Sequence, residues 1–335
     1  MEKELQITGK QFYDAYVLIA PGSDYGRAMW SDIASLENGM VLDHVLKPTN
    51  RILSVLHHIH FSFVINRRLQ LPFQKIWRRL YAINGVPFDK DRRYCVIYTD
   101  VSAARTDLNY LEELSGKKNI TLVLVMVNTM ARRASLLKKK LPCFSRIFSF
   151  DEQDSLKYGF VYHPTNYSMP DMGDFREVKS DAFYVGVSKG RAGMLADIYA
   201  TLTKGGAKAD FCVVGVKRSE RRREGIRYNE WMPYPSVLQH IRESNCIVEV
   251  MDGSQRGVTL RTMEAICYNK KLLTNNPLMK NSKYYKTGNI QVFTAPDEID
   301  VAFVKDRSPV DYGYEGEFSP IHLLEHINRM EAGSE

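Results

Sequence analysis

Residues 231–276 carry Trp231-Met232-Pro233-Tyr234, a short amphipathic stretch, and the apolar run Cys246-Ile247-Val248-Glu249-Val250. There follow the polar turn Gln255-Arg256-Gly257-Val258-Thr259-Leu260-Arg261, the pair Glu264-Ala265, and Lys270-Lys271-Leu272-Leu273-Thr274-Asn275-Asn276. The apolar runs are short and do not alternate with polar residues, which is the pattern of strands buried on both faces. Between them a glycine-containing turn leads into a helical stretch. Strand, turn, helix and strand in that order make a βαβ unit of a parallel sheet.

The same alternation extends in both directions. In the first half, strands are expected at Ala15–Ala20, Met40–Leu42, Cys95–Thr99, Thr121–Val127 and Arg146–Phe150. In the second half the pattern restarts with strand Ala182–Val187, helix Ala192–Thr203, strand Asp210–Gly215, helix Ser236–Glu243, strand Cys246–Val250, helix Leu260–Asn269 and strand Lys271–Thr274. Val161–Lys179, rich in Pro, Asp, Gly, Tyr and Asn, shows neither the helical nor the strand period and reads as an interdomain linker. Ile321, Leu323, Leu324 and Ile327 mark a short terminal amphipathic helix. A chain of 335 residues exceeds one ordinary core, so two α/β domains are expected.

Composition narrows the class. Apolar residues make up 44% and charged residues 25%, as in a soluble globular protein. The formal net charge of +7 suits an anionic partner, whether nucleotide diphosphate, anionic lipid or nucleic acid. No DNA- or RNA-binding signature accompanies the charge, so nucleic acid is not expected as a partner. The five cysteines, Cys95, Cys143, Cys212, Cys246 and Cys267, are scattered through apolar segments and read as reduced core thiols rather than metal ligands. Met1-Glu2-Lys3-Glu4 leads into polar sequence with no apolar signal core, and the run Leu122–Val127 falls far short of the roughly 20 residues of a spanning helix. A cytoplasmic protein, soluble or lying on the inner face of a membrane, is the expectation.

Two turns concentrate the chemistry. Gly186-Val187-Ser188-Lys189-Gly190-Arg191 opens a helix at the carboxyl edge of the restarting strand, where Lys189 and Arg191 can neutralise a pyrophosphate. In the second turn, Gly257 lets the backbone approach a diphosphate, and the N–H groups of Gly257, Val258 and Thr259 with Arg261 supply positive potential without a metal. Glu264, one helical turn further, can accept from ribose hydroxyls or pair with a neighbouring cation. Neither a P-loop nor a Gly-x-Gly-x-x-Gly after the first strand is present, which disfavours P-loop and dehydrogenase chemistry.

Gly190-Arg191, Ile226-x-Tyr228-x-x-Trp231-Met232-Pro233-Tyr234, Ser244-x-Cys246 to Val250, and Gln255-x-Gly257-x-Thr259-Leu260-Arg261-x-x-Glu264-Ala265 together resemble the bacterial GT-B glycosyltransferases of lipopolysaccharide and capsule biosynthesis. The resemblance covers roughly residues 180–280 and is vague before them. It implies two Rossmann-like domains facing a cleft, spanning 1–176 and 177–317, with 318–335 returning to the first. It also implies a nucleotide diphosphate sugar as co-substrate, with no further cofactor, and transfer to a glycan or lipid-linked glycan acceptor. In that reading Glu264 binds the ribose, Gly257, Val258 and Thr259 the diphosphate, Lys189 and Arg191 clamp the phosphates, and Tyr228 to Tyr234 lie beside the base. The sequence departs from the family where many retaining members carry a second glutamate, eight residues before the first. Arg256 stands there, with Gln255 adjacent, so retention and inversion both stay open.

On the acceptor side, Asp24 in Pro21-Gly22-Ser23-Asp24-Tyr25-Gly26-Arg27 is the chosen general base and His57, with His58 and His60, its rival. A helix cap explains Asp24 equally well. The only Asp-x-Asp, Asp89-Lys90-Asp91, lies in a charged loop, so no metal site is expected. Across residues 51–83, Phe73, Ile76, Trp77 and Leu80 fall on one helical face, with Lys75, Arg78 and Arg79 opposite. Such a helix fits an anionic membrane surface or a core-packed helix with a solvated basic side. Lys217–Arg223, with four arginines, reads as a solvated loop or a lid over donor phosphates. A noncatalytic nucleotide-sugar-binding subunit and a nucleotide-sugar epimerase are the alternatives to a transferase.

Overall fold

The structure is a computed structural model that describes residues 6–20, 22–46, 50–62, 65, 74–171, 177–251 and 258–333. The chain divides into two compact units, residues 1–168 with 318–335, and residues 169–317. Each is a parallel six-stranded sheet with helical connections, so the chain has the two Rossmann-like α/β units that the sequence leads one to expect.

In unit 1 the strands are β1 (Ala15–Ala20), β2 (Gly39–Asp43), β3 (Tyr94–Thr99), β4 (Ile120–Met126), β5 (Arg146–Ser149) and β6 (Val161–Tyr162), in the order β2-β1-β3-β4-β5-β6. Helices α1 (Asp24–Met29), α2 (Ser31–Ala34), α3 (Arg51–His60), α4 (Asp100–Arg105), α5 (Leu108–Ser115), α6 (Met130–Leu137) and α7 (Glu152–Tyr158) lie between the strands. Central strand β3 is buried along its whole length, as its run of aromatic and β-branched residues requires. Val17, Val96, Leu122 and Leu124 fill one side of the sheet together with Leu111 and Leu137 from α5 and α6. The reversal of strand order puts a crevice between the carboxyl ends of β1 and β3.

The last helix, Ile321–Ala332, belongs to this unit. It buries Ile321, Leu323, Leu324 and Ile327, and its Asn328 accepts from the Phe12 N–H at 2.8 Å, donates to the Leu324 carbonyl at 2.8 Å and bonds the Tyr16 hydroxyl.

Unit 2 contains β7 (Ser180–Val187), β8 (Ala209–Val214), β9 (Arg227–Tyr228), β10 (Ser244–Glu249), β11 (Lys271–Thr274) and β12 (Ile290–Val292), ordered β12-β11-β10-β7-β8-β9. Its helices are α8 (Ala192–Lys204), α9 (Tyr234–Arg242), α10 (Leu260–Cys267) and α11 (Val301–Lys305). Here the order reverses between β7 and β10, so the carboxyl ends of these two neighbouring strands mark the switch point of the sheet.

Two readings of the sequence are corrected. Residues 74–80 form a 3-10 helix, whose period of three puts Trp77 and Leu80 on one side and Ile76 on another. Trp77 is buried and Ile76 is 62% exposed, so these residues do not share an apolar face; Phe73 lies outside the described residues. The stretch 161–168, read as linker, carries β6 and the buried Tyr167, whose N–H donates to the Phe318 carbonyl at 2.6 Å. Tyr162 pairs with Ser149 of β5, a tertiary contact that local composition does not signal.

Candidate functional site

The switch point of unit 2 is built from β7 outward. Past Val187 the chain makes a tight turn closed by Arg191 N–H donating to the Ser188 carbonyl at 2.9 Å, with Lys189 and Gly190 both at positive φ, 46° and 82°. A Cβ on Gly190 would meet nothing, so it is the dihedral rather than space that favours glycine there. The turn delivers Arg191 to the mouth of the sheet. Its Nε donates to the Ser188 carbonyl at 2.9 Å, one terminal nitrogen to the Val187 carbonyl at 2.7 Å, and the other to the Val250 carbonyl. One guanidinium thus spans the carboxyl ends of β7 and β10, where open α/β sheets bind ligands. Lys189 beside it is exposed. Arg222, from the basic loop after β8, lies against the first turn of α8, with a terminal nitrogen 3.3 Å from where a Gly193 Cβ would stand.

From β10 the chain ends its strand on Glu249, which is only 2% exposed. Three hydroxyls converge on this carboxylate, from Thr259, Thr262 and Thr274, that of Thr262 at 2.7 Å. Thr259 is also the N-cap of α10, its oxygen accepting from the Arg261 N–H at 3.2 Å. The strand end therefore fixes where the helix begins.

One turn further, Glu264 is fully buried. Tyr234, at the start of α9, donates its hydroxyl to one carboxylate oxygen at 3.0 Å, and Arg261 pairs with the other. Burial pushes the Glu264 carboxyl up to about 7, against the opposing pull of the Arg261 charge and the Tyr234 hydroxyl. The result is a carboxyl that changes charge near neutrality, at a point where two polar partners already mark its hydrogen-bonding directions. The site thus brings together Tyr234, Arg261 and Glu264, residues that the sequence reading named separately.

Other expected residues stand apart. Val258 is half-buried just before the α10 cap, while Gln255 and Gly257 lie outside the described residues. Tyr228 sits on β9, separated from β7 by β8; its hydroxyl is buried without a hydrogen-bond partner among the described residues, and Arg221 faces its ring at 5.8 Å.

In unit 1, Asp24 is exposed in the first turn of α1, behind the Ser23 cap that accepts from the Gly26 N–H at 3.1 Å. His57 packs on Phe61 and Trp77, with ring centroids 4.7 and 5.0 Å away. Burial, helped by the Arg105 charge, lowers its pKa and keeps it a neutral, proton-accepting imidazole at pH 7. No hydrogen bond joins Asp24 to His57 among the described residues.

Glu249 and Asp100, the most deeply buried carboxylates after Glu264 among the described residues, carry no role in the sequence reading. Glu249 was read as part of an apolar strand, although a charge closing such a run is itself a signal of a polar partner set. Asp100, at the carboxyl end of β3, is fully buried and accepts from the Val127 N–H at 2.7 Å, Arg133 Nε at 2.8 Å and the Asn128 amide at 3.0 Å. It ties β3 to the β4–α6 turn beside the crevice of unit 1.

No protein-family model matches the chain, and a search of curated proteins gives no match. Solved structures do resemble it. Phage T4 BGT bound to UDP-glucose is 11% identical over 96% of this chain and 95% of its own, with a TM-score of 0.44. A kitacinnamycin glycosyltransferase is 10% identical over 96% of each chain, with a TM-score of 0.41. The UDP-GlcNAc 2-epimerase of Methanocaldococcus jannaschii is 9% identical over 95% of this chain and 99% of its own, with a TM-score of 0.45.

Proposed function

We propose that unit 2 binds a nucleotide diphosphate sugar and that the chain is a glycosyltransferase. Its acceptor is a glycan or lipid-linked glycan of cell-surface polysaccharide biosynthesis, of the lipopolysaccharide or capsule kind. The observation that carries the donor assignment is the buried Glu264 held by Tyr234 and Arg261, one turn into the helix that starts where Arg191 bridges β7 and β10. To be accepted by this carboxylate, the two ribose hydroxyls take the places that Tyr234 and Arg261 hold here. The diphosphate then falls at the start of α8 and α10, within reach of Lys189, Arg191 and Arg222.

In the reaction the bond between the sugar's anomeric carbon and the diphosphate oxygen breaks, and the acceptor oxygen bonds to that carbon. The departing diphosphate gains negative charge, which oriented peptide N–H groups and these cations stabilise without reorganising. The acceptor half is assigned to unit 1, where Asp24 is the base that takes the hydroxyl proton and His57, neutral at pH 7, its rival.

Thermal stabilisation across a panel of nucleoside diphosphates identifies the base, because a ligand at 100 times its dissociation constant adds about 2.7 kcal/mol. Calorimetry on Glu264→Gln, whose amide oxygen keeps an acceptor for Tyr234, is expected to show donor binding weaker by about 1–3 kcal/mol. Unchanged affinity would refute the assignment.

A further inference from the structure

Helix α3 is built inside out. Asn50 caps it, accepting from the Ile52 N–H at 2.8 Å, and its ten residues include no buried one. His57 and His60 turn toward Trp77 and Phe61, with ring centroids 4.7–6.1 Å apart. The aliphatic side chains of Ile52, Leu53, Val55, Leu56 and Ile59 are instead 45–71% exposed. At about 100° per residue, Ile52, Val55, Leu56 and Ile59 form a single stripe. Leu46 and Ile76, both exposed, lie in the flanking segments. A contiguous aliphatic surface of this kind marks a place that something else covers.

The charge carried by this part of the sequence indicates what covers it. Residues 44–88 contain seven lysines and arginines, Lys47, Arg51, Arg67, Arg68, Lys75, Arg78 and Arg79, and no Asp or Glu. That one stretch matches the whole formal excess of +7. Arg78 is spoken for by Asp107 and Glu113, whereas Arg51, Lys75 and Arg79 are exposed. A second copy of the chain, seated across a two-fold axis, would set these cations against their own images. A protein partner would meet a stripe with no polar group to bond, where interfaces ordinarily place a hydrogen bond every 100–200 Å² or so. Hydrocarbon asks for no such bond, and anionic headgroups satisfy the cations around it.

We infer that α3 is a membrane-docking element that lies in the plane of an anionic bilayer, with Ile52, Val55, Leu56 and Ile59 in the acyl boundary and Arg51, Lys75 and Arg79 at the phosphates. Ten residues rise only about 15 Å, enough to lie in the interface and too few to cross it. The inference does not depend on donor binding by unit 2, and each can fail alone.

The test is cosedimentation of the full chain with vesicles of phosphatidylglycerol and phosphatidylcholine, and with phosphatidylcholine alone. Binding is expected to the anionic vesicles and to fall about tenfold or more when salt is raised from ~0.1 M to ~0.5 M. The double variant Ile52→Ser/Leu56→Ser is expected to lose binding about tenfold or more at unchanged melting temperature, since neither side chain reaches the core. Three outcomes overturn the proposal. They are no binding to anionic vesicles, binding that the double variant leaves intact, or light scattering that shows a dimer which the double variant turns into a monomer. Nucleotide calorimetry on the same samples keeps this result separate from the donor assignment.

Discussion

Replacing Glu264 by Gln removes a proton whose position the fold controls. In the folded chain burial lifts this carboxyl from 4.5 to about 7, so between those values the native state holds a proton that the unfolded chain has released. The sign follows. The raised pKa stabilises the fold fully below about pH 4.5, and that contribution is lost as pH rises toward 7, with no further change above. At about 1.4 kcal/mol per pH unit the total loss is about 3 kcal/mol, a large part of a domain's usual 5–15. In Glu264→Gln the amide oxygen still accepts from Tyr234 but carries no titrating proton. Urea unfolding from pH 5 to 8 is therefore expected to show wild-type stability falling relative to the variant by about 1–3 kcal/mol across that window. Parallel profiles would refute the account. The same proton governs the ligand: ribose hydroxyls need the ionised form, so donor affinity is expected to climb toward pH 7 and level off above it. Calorimetry in buffers of different ionisation enthalpy reads the proton released on binding.

Arg191→Lys removes the planar fork that spans the Val187, Ser188 and Val250 carbonyls, and a lysine cannot replace three directed bonds. Nucleotide affinity is expected to fall about tenfold, read by calorimetry, and an unchanged value would show that the bridge does not shape the pocket. Asp100→Ala strands Arg133 and the Val127 N–H, at an expected cost of about 3–5 kcal/mol in urea unfolding, whereas a loss under 1 would mean that the β3 carboxylate is not the tie between β3 and the β4–α6 turn. Asn328→Ala leaves the Phe12 N–H and Tyr16 hydroxyl buried without their acceptor, and is expected to lower stability by about 1–3 kcal/mol in the same assay.

Long apolar strands were legible in the sequence because burial on both faces writes itself as an unbroken run, as in Tyr94–Thr99 and Ile120–Met126. The two- and three-residue strands β6, β9 and β12 were not, because each exists through pairing with a neighbour laid down elsewhere in the chain. Residues 74–80 misled because periods of 3.0 and 3.6 both return every third position inward but disagree about Ile76. At the site, Glu264 and Arg261 could be named from their chemistry and spacing, and Tyr234 only through the family resemblance. The grip of Thr259, Thr262 and Thr274 on Glu249 could not, since the residues that meet there lie up to 25 positions apart. Helix α3 shows a different gap. A wheel drawn from its sequence separates imidazoles from aliphatics, but it is Trp77, arriving from the 74–80 turn and packing on His57 and on the Phe61 that caps the helix, that determines which side faces inward.

The return of residues 318–335 to unit 1 gives synthesis a direction. On the ribosome, Phe12 and Tyr16 emerge more than 300 residues before the asparagine that satisfies them. The middle of the chain, 169–317, has all its parts before the beginning does. Nascent chains cut short of residue 318 should therefore contain a finished second unit and an unfinished first one, whose open flank is a substrate for chaperones until the last helix closes it.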